Sequence, residues 1–437
     1  MLVTKQSKRI FLKLTLLTVI TLEAATANAT SLTDVYDLAA NHDPSLAQAK
    51  YKLQISTEDI IQAKSTLLPT INGQIQADWN NDADSNSTNS QSYTINLTQA
   101  LYAPALGSAI NKVRNLDLQA NLVFQQTEQL LIVNTVSAYI DAMIAHNNMT
   151  SSQAQEQSFK KSLARIRAQF EVGVSANEDL QEAQAVYDNA KIALIISEGE
   201  LENSLELLQR LTGSSIDSIN SLSTDYPTAI LEPSDAQHWI EQATSNNLDI
   251  LLGKKAVESS RFDTQIASAE RKPKVDITAY HQRYNHNSNG NTTDNQVALV
   301  LSVPLFNGGA LNSKVRQSAI LENIEKSKQL DTIRSITQQT KSTVRDIRTN
   351  ALAINARKQS IVSSLAAMRA VQEGYKLGTR NITDLLDAQQ KLFQAKNEHE
   401  NSRLMHISLL FNLKRLMGSV AKDDITQLSQ WMLPAKQ

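Results

Sequence analysis

The sequence predicts a mainly α-helical protein that also carries a transmembrane β-barrel, built as two tandem strand–helix repeats. Three observations lead there. Gly and Pro are absent between Gly107 and Gly173, and again between Gly309 and Gly374. Each of these stretches, roughly 65 residues, can form one helix of about 100 Å at 1.5 Å per residue. The chain also matches itself at an offset of 204–205 residues. Finally, two segments in each repeat alternate apolar and polar residues over about ten positions, the length of a tilted strand that crosses a bilayer.

The N-terminus reads as a secretory signal. Lys5, Lys8 and Arg9 form a basic region, Phe11 to Leu22 an apolar run, and Ala27-Asn28-Ala29 a small-x-small cleavage site. The run is short for a transmembrane helix. The expectation is that residues 1–29 are removed and the mature chain is exported. The sequence holds no Cys, which excludes disulfides, thiolate metal sites, a Cys nucleophile and a lipid-modified cysteine. The formal charge is −2, with both signs interspersed, which argues against nucleic-acid binding. No mature segment has the apolar length of a transmembrane helix, so membrane residence requires a β-barrel.

The internal repeat rests on four blocks sharing one offset. Phe170-Glu-Val-Gly173, Asp179-Leu180 and Ala183-Gln184 lie over Tyr375-Lys-Leu-Gly378, Asp384-Leu385 and Ala388-Gln389. The register holds to Arg210-Leu211-Thr-Gly213 and Arg415-Leu416-Met-Gly418. Upstream, Ala39 to Pro69 lies over Ala243 to Pro273. Leu101-Tyr102 and Lys112-Val113-Arg114 lie over Leu305-Phe306 and Lys314-Val315-Arg316 after a two-residue slip. Residues 30–225 and 226–437 are therefore read as two structural repeats.

Each repeat opens with a helix, near 46–67 and 248–270, which Pro69 or Pro273 ends. A strand follows near 70–79 and 275–284, then a polar Asn/Ser/Thr/Asp loop, Asn80–Ser92 or Asn285–Asn295. A second strand runs near 93–102 and 297–305. In the first of these, Tyr93, Ile95, Leu97 and Leu101 alternate with Thr94, Asn96 and Thr98; Val297, Leu299, Leu301 and Val303 do so more weakly. A long helix spans about 105–171 and 310–376, and a return helix about 177–211 and 382–416. Two hairpins give four strands per chain. Four strands cannot close a barrel, and open edges are not tolerated in lipid. The chain must oligomerise, and three copies give twelve strands, a workable barrel.

The return helices divide large and small residues between adjacent heptad rows. One row is Leu180, Tyr187, Leu194, Leu201 and Leu208, and its neighbour is Ala183, Ala190, Ser197, Ser204 and Leu211. In the second repeat the rows are Leu385, Leu392, His399, His406, Leu413 and Ala388, Ala395, Ser402, Leu409, Leu416. Large rows set beside small rows let helices approach closely and build a thin wall. His399 and His406 stand seven apart, but ordinary packing explains them better than a metal site. The sequence contains no phosphate loop, zinc motif or nucleophile elbow, and an enzyme is not expected.

These tandem repeats, with Val172-Gly-Val-Ser, Glu178-Asp-Leu-Gln-Glu-Ala-Gln184 and Gly374-Tyr-Lys-Leu-Gly-Thr-Arg-Asn-Ile-Thr-Asp-Leu-Leu-Asp-Ala-Gln389, resemble the TolC-type outer-membrane efflux channel family over essentially the whole mature chain. The resemblance implies a homotrimer with a 12-stranded barrel in the outer membrane and a long α-helical tunnel into the periplasm. It implies a passive exit duct for drugs, small toxic molecules or secreted proteins, in a tripartite efflux pump or a type I secretion system. A periplasmic adaptor and an inner-membrane transporter are the implied partners beside outer-membrane lipid, and no cofactor is implied.

The resemblance also supplies a gate. Asp384 and Asp387 would form two stacked acidic rings at the periplasmic mouth, because residues three apart share a helix face and acidic rings favour cations. Tyr375 and Arg380 would tie this hairpin to the first one, where Asp179 is the matching acceptor. Glu178 departs from the family pattern and offers Arg380 a second acceptor. The turns at Gly173 and Gly378 would be the adaptor contacts. A local alternative assigns Thr383 and Asp384 to the cap and favourable charge of a helix N-terminus. The alternative function is a soluble periplasmic coiled-coil adaptor or structural protein.

Overall fold

The computed structural model describes residues 30–80, 88–228, 231–286 and 290–433. The expected signal segment, residues 1–29, lies outside them. Nine helices and six strands occur among the described residues. The first repeat contains α1 (Leu32–His42), α2 (Pro44–Ser65), β1 (Thr70–Asn80), β2 (Thr88–Tyr102), α3 (Pro104–Glu171), α4 (Asn177–Thr212) and β3 (Ser221–Leu222). The second contains α5 (Ala236–Asn246), α6 (Leu248–Ala269), β4 (Lys274–His286), β5 (Gly290–Ser302), α7 (Ala310–Lys376), α8 (Ile382–Leu416), α9 (Lys422–Ser429) and β6 (Met432–Leu433).

The uninterrupted stretches are single helices. Helix α3 has 68 residues and α7 has 67, each about 100 Å long. Pro104 begins α3 at the position where a missing N–H costs nothing, and each long helix folds back at a glycine turn onto α4 or α8. Helix α6 packs between α3 and α7, whereas its counterpart α2 packs chiefly on α3.

Strands β1, β2, β4 and β5 form one antiparallel sheet in that order. Pairings such as Ile71↔Leu97, Leu97↔Ala279 and Ala279↔Val297 put the apolar residues on one face. Asn72, Asn96, Tyr280 and Gln296 line up on the other. Both loop expectations need correction. The ladder of β2 begins at Thr88 rather than near residue 93, β4 continues to His286, and β5 starts at Gly290. These polar outer ends keep the backbone hydrogen bonds of the sheet without an apolar face to advertise them. Strand β5 ends at Ser302 instead of residue 305. The chain then turns through Gly308 and Gly309, both at positive φ.

The largest apolar cluster lies at mid-length of the helices, where α1, α9 and the β3–β6 pair wrap α3, α4 and α8. Its centre includes Leu32, Val136, Tyr139, Leu208, Ile407 and Ile425, each essentially inaccessible to solvent. The Tyr139 hydroxyl donates to the Thr30 carbonyl at 3.0 Å and accepts from the Asn220 amide at 2.8 Å. That pairing satisfies the polar end of a buried ring, which would otherwise be costly. A second cluster, with Phe159, Leu163, Ile166, Ala183, Ile382, Leu385 and Leu386, joins the two helical hairpins near their turns. The Ala183, Ala190 and Ser197 row of α4 is buried, as close helix approach requires.

Candidate functional site at the hairpin turns

Both turns close in the same way. The Gly173 amide bonds to the Phe170 carbonyl at 2.9 Å and the Val174 amide to the Gln169 carbonyl at 2.8 Å. In the second repeat the Gly378 amide reaches the Tyr375 carbonyl at 3.1 Å and the Thr379 amide the Gly374 carbonyl at 2.9 Å. This is the helix-ending arrangement that needs a left-handed residue after the last turn, and the φ values are +75° at Gly173 and +74° at Gly378. The residues beside these glycines, Val172, Val174 and Leu377, are strongly exposed.

The return helices then begin. On α4, the Asp179 carboxylate accepts from the Ser175 hydroxyl at 2.9 Å and the Ala176 amide at 3.3 Å. Glu178, beside it, is exposed. On α8 the cap is Asn381 rather than Thr383: its side-chain oxygen accepts from the Asp384 amide at 2.8 Å. Asp384 sits in the first turn, where negative charge meets the positive end of the helix dipole. Ile382, Leu385 and Leu386 bury the opposite face, leaving Asp384 half-exposed and Asp387 exposed one turn further on.

Among the site residues expected from the sequence, Tyr375 makes a hydrogen bond that crosses between hairpins. Its hydroxyl donates to the Gln169 side-chain oxygen on α3 at 3.1 Å. Burial pushes the phenol pKa up, the Asp179 carboxylate adds to the rise, and Arg165 opposes it. Asp179 is thus near enough to Tyr375 to be felt, while it accepts hydrogen bonds from its own helix start. Arg380 pairs within its own hairpin, with Asp384 at 3.6 Å. At more than half exposure for the arginine, such a pair is worth at most about 1 kcal/mol. Arg380 also packs over Gly374, where an added Cβ would lie 2.8 Å from the arginine Cγ. Gly374 is legible in the sequence as the end of a Gly-free stretch and the start of the second motif, whereas nothing in the spacing of Gln169 marks it as a partner of a residue 206 positions away.

Among the described residues, no helix is long and apolar enough to cross a membrane, and no group of three His, Asp or Glu side chains is placed to hold a metal ion. Of the two seam histidines, His406 is buried and His399 approaches Glu400 at 3.1 Å.

A sheet with one apolar and one polar face, continued by helices of about 100 Å, defines a barrel-and-tunnel channel of the bacterial outer membrane. A family model for outer membrane efflux proteins matches residues 35–214 and 239–419, and the chain belongs to that family. It is 28% identical to the outer membrane protein TolC of Escherichia coli strain K12, over 92% of this chain and 85% of that protein. It is 25% identical to the proteases secretion protein PrtF of Dickeya chrysanthemi, over 97% and 96% of the two chains. The crystal structure of VceC from Vibrio cholerae superposes with a TM-score of 0.76 at 16% identity, covering 89% of this chain and 96% of that one; at that identity the likeness shows the fold. The protein is an outer-membrane channel for efflux or type I secretion that extends into the periplasm. Its family is one of transport channels rather than enzymes. The soluble coiled-coil alternative is set aside.

Proposed function

We propose that three copies of this chain form a passive exit duct without catalytic activity of its own, opened at its periplasmic end by partners. The observation that carries the reading is the open four-stranded sheet, whose edges are β1 and β5. In lipid those edges must be paired, and three copies joined β5 to β1 give twelve strands. The same rotation would lay the next copy's α7 on the uncovered flank of α2, as α7 lies on α6 within one chain.

At the far end, the three copies would bring Asp384 and Asp387 to the axis as acidic rings. Tyr375, held by Gln169 and near Asp179, would latch the inner hairpin to the outer one. Arg380, poised over Gly374, would exchange its partner Asp384 for Asp179 or Glu178 of a neighbouring hairpin. The exposed turns around Gly173 and Gly378 would receive a periplasmic adaptor, and an inner-membrane transporter would supply the energy.

Planar-bilayer conductance tests the reading. Replacing Tyr375 and Arg380 together, as Tyr375→Phe with Arg380→Ser, should raise single-channel conductance. Trimers with unchanged conductance would remove these residues from the gate.

A further inference from the structure

The barrel sheet separates charge by face. One face is polar and carries Asp78, Asp276 and Asp294, with Lys274 bound to Asp276 at 3.1 Å. The other face carries Ile71, Ile75, Tyr93, Ile95, Leu97, Ile277, Val297 and Leu299. Lipid must contact the apolar face. Among the described residues of the four strands, a single full charge stands on it, Arg283.

Arg283 is exposed and sits on β4, an interior strand of the sheet. Its flanking partners are therefore fixed: Tyr93 on β2 and Thr293 on β5. One row nearer the tunnel on the same face, the exposed His281 faces Ile95 and Asn295, with its Nδ1 2.6 Å from the Asn295 side-chain oxygen. Among the described residues of the strands no carboxylate shares this face, and assembly through β1 and β5 adds none of them beside β4.

Height identifies what neutralises the arginine. Strands run outward from the tunnel, and the apolar face starts with the Val275–Leu301 row. From Val275 to Arg283 is about 26 Å along the strand, or about 20 Å of rise at the usual barrel tilt. An apolar barrel belt is about 25 Å tall. Arg283 thus lies near the outer margin, where a guanidinium extends along its own stem to reach headgroups. Planar guanidinium pairs with phosphate through two hydrogen bonds, and a tyrosine ring beside it suits the boundary between apolar and wet layers.

We infer that Arg283, with His281 and Tyr93, forms a binding site for a phosphorylated glycolipid headgroup of the outer leaflet, one site per subunit. The inference rests on the channel reading, since it needs the barrel in an outer membrane. The same spectrum separates the two. Native mass spectrometry of the detergent-solubilised protein, titrated with diphosphorylated lipid A, fully dephosphorylated lipid A and phosphatidylethanolamine, reports both oligomer mass and lipid adducts. The site predicts trimers that prefer diphosphorylated lipid A by roughly tenfold over the other two, the worth of one charge-assisted contact. In Arg283→Gln that preference should fall to parity, and in Arg283→Lys it should largely return. An intact trimer that binds all three lipids equally, or an Arg283→Gln trimer with unchanged preference, would overturn the site and leave the channel standing. Absence of any trimer would instead sink the channel reading beneath it.

Discussion

The Tyr375 hydroxyl on α7 donates to the Gln169 side chain on α3 at 3.1 Å, joining residues 206 positions apart. It is the polar contact above the apolar cluster that holds the two hairpins together. A neutral hydrogen bond of this kind contributes about 1 kcal/mol net, a roughly fivefold change in a closed-to-open ratio. Tyr375→Phe and Gln169→Leu should each raise open probability in planar bilayers by about that factor. The double variant should do little more than either alone, because the two remove the same bond. Independent, multiplying effects would mean that the two residues act on the mouth separately.

The elements that carried long-range function were the most legible. Gly107, Gly173, Gly309 and Gly374 mark out the long helices, and Pro69 and Pro273 sit at the entry to the strands. What escaped were segments whose stabilising partners are remote. Strands β3 and β6 have two residues each and pair position 221 with 433, far too short for a hydropathy pattern. The outer ends of β2 and β5 are polar on both faces, so alternation vanishes although the backbone ladder persists. Helix α1 did carry a readable sign: Ser31 and Asp34 cap each other reciprocally. At the turns, Asp179, Tyr375 and Arg380 are legible through the family motif. The Arg380–Asp384 pair is an i,i+4 neighbour on the sequence, whereas Gln169 as the partner of Tyr375 follows from how the hairpins meet and from no spacing rule.

Two glycines at similar positive φ should respond very differently to alanine. At Gly173, φ is +75° and an added Cβ meets no atom within 4 Å. Only the left-handed penalty applies, about 1 kcal/mol. At Gly418, φ is +66° and the Cβ would lie 2.4 Å from the Asn246 carbonyl oxygen. The backbone there is pinned on both sides, because Asn247 donates to the Leu416 carbonyl at 2.9 Å and Gln129 to the Gly418 carbonyl at 2.8 Å. Strain plus displacement should cost about 3 kcal/mol or more. Thermal unfolding of the purified protein should therefore show a much larger drop in Tm for Gly418→Ala than for Gly173→Ala. Equal drops would indicate that the Asn246 junction relaxes freely.

Glu128 on α3 gives a pH-dependent test of stability. Burial holds its carboxyl above the ordinary value of 4.5, so the folded protein binds that proton more tightly than the unfolded chain does. Its favourable contribution is complete below the unfolded pKa and is lost as pH rises through the folded one. At neutral pH the charged form is a burden, and Glu128→Gln should unfold at a higher temperature than the unsubstituted protein. Lowering the pH below 4.5 should close the gap between the two, whatever other groups titrate. A gap that is constant with pH would assign the gain to packing and not to charge.

The acidic rings proposed for Asp384 and Asp387 lead to a prediction about ions rather than stability. Asp384→Asn also deprives Arg380 of its partner at 3.6 Å, so Asp387→Asn is the cleaner probe. A carboxylate ~8 Å from an axial cation contributes about 0.5 kcal/mol in a water-like dielectric. Three copies together would then enrich cations at the mouth by about tenfold. Reversal potentials across a salt gradient should show weaker cation preference in Asp387→Asn, with the largest change at low salt, where the screening length is long. Near 1 M salt that length shrinks to about 3 Å, and the variant and the unsubstituted channel should converge. A preference untouched at low salt would place Asp387 away from the conducting path, and the selectivity would then have to arise in the barrel, where Asp78 and Asp294 share the polar face.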